Sequence, residues 1–188
     1  YQAEIKRHNP SCLLFLIDQS GSMDDPFGGA GHGKRKADGV ADATNRLLQN
    51  LVLKCTNSGV RDYYHVGVLG YGSDRAASAF GGSLSGRSLA ALSQVADAPV
   101  RIEQRTKKID DGAGGTIEQS VLFPVWFDPI AAGGTPMCQA LGLAREVLSG
   151  WLPLHPDCFP PIVINITDGE STDGDPTDAA AGLRSLVR

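Results

Sequence analysis

The sequence predicts an α/β domain with a mostly parallel central sheet and helices on both faces. Three short apolar runs, Cys12 to Ile17, His65 to Tyr71 and Ile162 to Thr167, are continuous rather than alternating. That pattern reads as strands covered on both sides. Stretches with helical spacing fall between the runs, and strands alternating with helices point to a parallel sheet with its helices layered on either face. One segment breaks the rhythm. At about 100–127, VRIEQRTKKI and TIEQSVLFPVWF flank the turn-forming DDGAGG, which predicts an inserted antiparallel hairpin.

The elements follow in order. The first strand ends in LFLIDQSGSM. Lys36 to Lys54 carries Val40, Ala43, Leu47, Leu48 and Leu51 at helical spacing, and Pro136 to Trp151 carries Ala140, Leu141, Ala144, Val147 and Leu148. A weaker helix is expected from about Ser88 to Ala96. A last one opens at Asp175-Pro176, with Asp175 as N-cap, Pro176 in the first helical position and Asp178 adding first-turn negative charge. The chain of 188 residues reads as a single domain over 1–188. No strand follows the last helix, which would leave the 162–167 strand near an edge, so the natural protein is expected to continue beyond Arg188.

Composition narrows the function. At 41% hydrophobic and 20% charged, the chain has enough apolar residues for a packed core. A net charge of -4 is wrong for a protein that neutralises phosphates, which argues against nucleic acid and anionic membranes as partners. No apolar run reaches the roughly 20 residues of a membrane span, and YQAEIKRHNP is not a signal peptide, so a cytoplasmic location is expected. Cys12, Cys55, Cys138 and Cys158 show no C-x-x-C pair and no zinc-finger spacing, which fits free thiols in a reducing compartment.

The chemistry concentrates where strands end. Asp18, Ser20 and Ser22 alternate just past the first strand, and ligands of open α/β sheets bind at that carboxyl end. If the loop stays extended, alternate residues project from one side, so one carboxylate and two hydroxyls can converge. The third run exits through VINITDGE, which puts Asp168 at an equivalent place, and AAGGTPMCQAL delivers Thr135 on a glycine-rich loop before a helix. Oxygen-only donors of this kind suit a hard divalent ion.

DQSGS, GGTPM and ITDGE, in that order and in those settings, resemble the metal-ion-dependent adhesion site of the von Willebrand factor A domain family. The segment HVGVLGYG also resembles that family's second strand. The resemblance implies a Rossmann-like fold and a bound Mg²⁺ or Mn²⁺, with Ca²⁺ less suited, held by Asp18, Ser20, Ser22, Thr135 and Asp168. It further implies a metal-dependent adaptor, with an Asp or Glu of a partner protein as an additional ligand. Bacterial intracellular members, which the inserted hairpin resembles, often work beside AAA+ ATPases, kinases or phosphatases. The family's last strands and helix have no counterpart before Arg188.

Other readings compete. Asp18 and the serines can form an Asx turn alone, and Thr135 can serve as a helix cap. Asp24 and Asp25 fit either a second cation site or solvated loop charges. Glu170, Asp173 and Asp175 lack EF-hand spacing and fit capping and solvation as well as calcium. His32 and His155 read as loop surface, and Trp126 and Phe127 as core more than as a partner-facing patch. Gly28 to Lys34 matches G-x-x-x-x-G-K, but Arg35 stands where a P-loop places Ser or Thr, and the strand ends ten residues before the motif. The alternative function is a magnesium-dependent hydrolase or phosphotransferase using the same acidic site. That chemistry wants a positioned acid, base or phosphate clamp, and none of the 4 histidines lies beside a motif.

Overall fold

The structure, a computed structural model, describes residues 4–27, 33–73, 75–110, 112 and 115–186. Its elements are β1 (Ser11–Asp18), α1 (Lys36–Lys54), β2 (Tyr64–Gly72), β3 (Arg75–Ser78), β4 (Ala90–Ala91), α2 (Leu92–Asp97), β5 (Arg101–Asp110), β6 (Thr116–Val125), α3 (Met137–Trp151), β7 (Ile162–Ile166) and α4 (Thr177–Arg184). β1 lies between β2 and β7 and is parallel to both. β3 and β4 add antiparallel to the outer edge of β2, β3 near Gly72 and β4 near His65. β5 and β6 form a separate antiparallel ladder running from Arg101 opposite Val125 to Asp110 opposite Thr116. The protein is therefore mixed α/β with a mostly parallel sheet.

Side chains alternate across a strand, and both faces of β1 are used. Phe15 and Ile17 join Val66 and Val68 beneath α1 and α2. Cys12, Leu14 and Leu16 join Leu69 and Tyr71 beneath α3, with Ala179 and Leu183 of α4 at the margin. Burying a side chain such as Phe15, Leu14, Leu16 or Val68 contributes roughly 1.5–3 kcal/mol against leaving it in water.

Three expectations need correction. α1 keeps its expected bounds, but its buried stripe is Ala37, Ala41, Thr44, Asn45 and Leu48, while Ala43 and Leu47 face outward. The rotation is set by Asn45, a buried amide whose Oδ1 accepts from the Trp126 backbone N–H (2.9 Å) and whose Nδ2 donates to the Phe127 carbonyl (3.1 Å). A polar group with both ends satisfied is tolerated inside, and it ties the base of the hairpin to α1. The helix expected from Ser88 starts only at Leu92, because Ala90 and Ala91 first pair with Val66 and His65. Among the described residues β7 lies at the edge of the sheet, as expected, but Ile162 at 41% and Ile164 at 37% exposed lack the cover on both faces that its continuous apolar run suggested. β3, short and polar in sequence, had no periodic signal.

Trp126 and Phe127 are core residues, 2% exposed each, and the Trp126 indole N–H donates to the Val95 carbonyl (2.6 Å). Farther out, the hairpin is held by Arg105, which pairs with Asp42 of α1 (2.7 Å) and lies over the Phe123 ring (3.6 Å). None of the four cysteines, all among the described residues, forms a disulfide, and burial pushes the Cys12 thiol up to about 12. No helix among the described residues is long and apolar enough to cross a membrane.

At the amino end of the strands, His65, Trp151 and His155 pack together, the Trp151 and His155 rings stacked at 4.0 Å. His155, expected as loop surface, is half-buried in this stack. The Trp151 indole N–H donates to Nδ1 of His65, which requires that nitrogen unprotonated. Burial, and secondly the nearby His155, hold His65 below the ordinary 6.5, against a smaller opposing pull from Asp62. A histidine depressed in the folded state binds fewer protons there than in the unfolded chain. Its contribution is complete above the ordinary value and is lost as pH falls through it. The thermal midpoint is expected to drop between about pH 7 and about pH 5, and His65→Gln, which keeps an acceptor without titrating, should flatten that slope. An unchanged slope in the variant would assign the acid sensitivity elsewhere.

Candidate metal centre

The site starts where β1 leaves the sheet. Asp18 is the last residue of β1, and Gln19 still donates to the Tyr71 carbonyl (2.7 Å) before the chain turns away. The Asp18 side chain, in a residue 1% exposed, uses both oxygens: Oδ1 accepts from the Ser20 backbone N–H (2.8 Å) and Oδ2 from the Thr167 hydroxyl (2.7 Å). The first bond is the Asx turn that the motif allows. The second is not local, and it joins the exits of β1 and β7. Ser20 and Ser22 place their hydroxyls 3.1 Å apart, and Ser22 donates to Oδ1 of Asp168 (2.8 Å). Since Ser22 has one proton to give, Ser20 donates to Ser22. Four of the five expected residues thus line one crest at the carboxyl ends of β1 and β7.

Thr135 arrives on a loop bound to both neighbours. The Gly21 N–H donates to the Gly133 carbonyl (2.9 Å), and Ala132 donates to the Gln19 carbonyl (2.7 Å). On the other side, Thr135 N–H donates to the Thr172 hydroxyl (2.8 Å) and Thr172 N–H donates back to the Thr135 carbonyl (3.0 Å). The approach is so close that a Cβ on Gly133, at φ +73°, would lie 2.4 Å from the Ser73 Cα, and one on Gly72 would lie 2.5 Å from the Gln19 carbonyl oxygen. Glycine is needed at both places.

Thr135 is 6% exposed and does not cap α3. Asp173 performs that task, accepting from the Cys138 and Gln139 backbone N–H groups at 3.0 and 2.9 Å and steadied by the Ser171 hydroxyl. Among the described residues the Thr135 hydroxyl makes no hydrogen bond. Asp175 caps α4 through Thr177 N–H (2.9 Å). Asp173 and Asp175 are therefore capping groups, and Glu170 is exposed.

Cations already in the chain answer the remaining acids. Lys36 reaches Oδ2 of Asp168 (2.6 Å) and Oδ2 of Asp25 (3.1 Å), while Arg35 pairs with Asp24 (3.0 Å) and Asp38 (2.8 Å). Asp24 and Asp25 are ion-paired rather than merely solvated. The Lys36 hydrogen bond is the main reason that the Asp168 carboxyl sits below the usual carboxylate range, and burial acts against it. Beneath the crest, burial pushes the Tyr71 phenol up to about 12, so it stays a neutral donor, bonding Asn165 at 2.8 Å.

Among the described residues, no three His, Cys, Asp or Glu side chains come together in a metal-holding group. The crest offers instead the carboxylates of Asp18 and Asp168 and the hydroxyls of Ser20 and Ser22, with Thr135 on the loop fastened alongside. These hard oxygen donors suit Mg²⁺ or Mn²⁺ with water completing the shell, whereas softer metals prefer sulfur and imidazole. The ammonium of Lys36 already occupies Oδ2 of Asp168. The donor set fits the ion. Of the motif at Gly28 to Lys34, residues 28–32, including His32, lie outside the described residues, and Lys34 pairs with Asp42 (2.8 Å).

Thr167, Thr172 and Lys36 were not singled out from sequence. Thr167 carried a faint signal as the residue before Asp168. Lys36 carried a clearer one, a lysine in the first turn of a helix, where the dipole disfavours positive charge. Compared with family models, curated proteins and solved structures, the chain matches none.

Proposed function

We propose that the chain is a von Willebrand factor A-like domain that holds one Mg²⁺ or Mn²⁺ at a metal-ion-dependent adhesion site and uses it to bind an acidic side chain of a partner protein. Asp18, Ser20, Ser22, Thr135 and Asp168 would hold the ion. The observation that carries this reading is the continuous run of hydrogen bonds from Thr167 through Asp18, Ser20 and Ser22 to Asp168, with the Thr135 loop fastened alongside. An Asx turn and a helix cap alone leave that convergence unexplained, and Thr135 is not the cap.

The chemistry follows from the charges. Hydroxyl ligands are neutral, so a divalent ion held largely by them keeps much of its positive charge and attracts a carboxylate. Asp18, bonded through both oxygens, presents a fixed carboxylate, and the serines are aligned before any ion arrives. Such a surface suits binding and positioning. An adaptor role beside an ATPase, kinase or phosphatase belongs to this same reading. Calorimetric titration of metal-stripped protein with Mg²⁺ and Mn²⁺ is expected to show one saturable site. A partner bound through it should be released by EDTA. Wild-type protein that binds neither ion overturns the proposal.

A further inference from the structure

Lys36 occupies an electrostatically awkward position. It is the first residue of α1, and Arg35 beside it adds a second positive charge where the helix dipole favours negative ones. What the position gains is reach. The Lys36 backbone N–H donates to the Asp25 carbonyl (2.9 Å), which fixes the start of the side chain against the loop that follows Ser22. Its ammonium then spans from Asp25 to Asp168, and the side chain is only 31% exposed. Asp168 is thereby shared, with Oδ1 taking the Ser22 hydroxyl and Oδ2 the ammonium.

We propose that Lys36 is a counter-cation built into the site, a specificity-determining residue whose ammonium holds Asp168 when no divalent ion is bound and so sets the concentration of ion at which the site fills. The inference rests on the metal reading above. Without Lys36, Asp25 and Asp168 would lose the cation they share, and the repulsion between Asp168 and the nearby Asp18 would be less offset. With Lys36 the metal-free crest is balanced and stays assembled. A divalent ion arriving at the same carboxylates meets that positive charge at short range and must compete with it, since ammonium and metal ion repel each other. Weak bulk cations are thus held off, and only an ion that draws on the full set of oxygens displaces the ammonium's hold.

The test is Mg²⁺ titration of metal-stripped wild type, Lys36→Met and Lys36→Gln, with far-UV circular dichroism to confirm that each is folded. Both neutral variants are expected to bind Mg²⁺ about tenfold more tightly than wild type. Their metal-free thermal midpoints should fall, and Mg²⁺ should raise them by more than it raises the wild type. A purely structural clamp predicts the opposite, because loosening Asp168 would weaken the site. Unchanged or weaker Mg²⁺ affinity in a folded neutral variant overturns the inference while leaving the metal reading intact. No saturable binding in wild type or variants overturns the metal reading, and this one with it.

Discussion

Asp18→Ala is expected to lower Mg²⁺ and Mn²⁺ affinity by roughly a hundredfold or more while the protein stays folded. The two halves of this result have different causes. Affinity goes because Asp18 is the buried carboxylate on which the crest is built, accepting from Ser20 and from Thr167 at once. The fold survives because those donors sit at loop ends outside the sheet's ladder, and the Thr167 hydroxyl has the Gly169 carbonyl (3.1 Å) as a second acceptor. Removing a carboxylate also relieves repulsion with Asp168. Calorimetry and a thermal melt on the same sample separate the two effects. A variant that fails to fold would make Asp18 chiefly structural.

Gly133→Ala should damage both stability and site. Its φ of +73° is one that an L side chain adopts only with strain, and the new Cβ would lie 2.4 Å from Ser73 Cα and 2.6 Å from Ser73 N. Backbone atoms cannot rotate away, so the loop must move. Ser73 is itself at φ 45°, so its own turn has little room to yield. The loss of folding stability is expected to be about 3 kcal/mol, and Mg²⁺ affinity should fall with it because the Gly21 to Gly133 bond that seats Thr135 breaks. The control is Gly142→Ala on α3, where a Cβ meets nothing within 4 Å and the substitution should be neutral or stabilising. Equal melting of Gly133→Ala and wild type would mean that the loop is not held as tightly as these contacts require.

What could be read in advance was what periodicity and motif spacing encode. β1, β2, α1, the hairpin and α3 each carry an uninterrupted local signal, and their bounds agree within a few residues. The motif residues announced their loops because Asp, Ser and Thr past a strand's carboxyl end have few local uses. Long-range geometry was hidden. The face of α1 is decided by Asn45, whose partners are Trp126 and Phe127, 81 and 82 residues away in sequence. β3 and β4 exist because β2 offers an edge, and neither is apolar or long enough to declare itself. The place of β7 at the edge was legible from the lack of a following strand, but not its exposed face, since a run of isoleucine and valine looks the same at an edge as in the middle. At the site, capping was among the readings of Asp173, but not that the helix it caps lies 35 positions earlier, and Lys36 joins an acid 132 residues on. Pairings at such separations leave no pattern in a single chain.

The account stands or falls on where the ion sits. Crystals grown with Mn²⁺ and measured near its absorption edge give an anomalous difference map that locates the ion without assuming any ligand. One peak among the oxygens of Asp18, Ser20, Ser22, Thr135 and Asp168 is the predicted result. A peak at another group of carboxylates, with that crest bare while Mn²⁺ saturates the protein in solution, would contradict it.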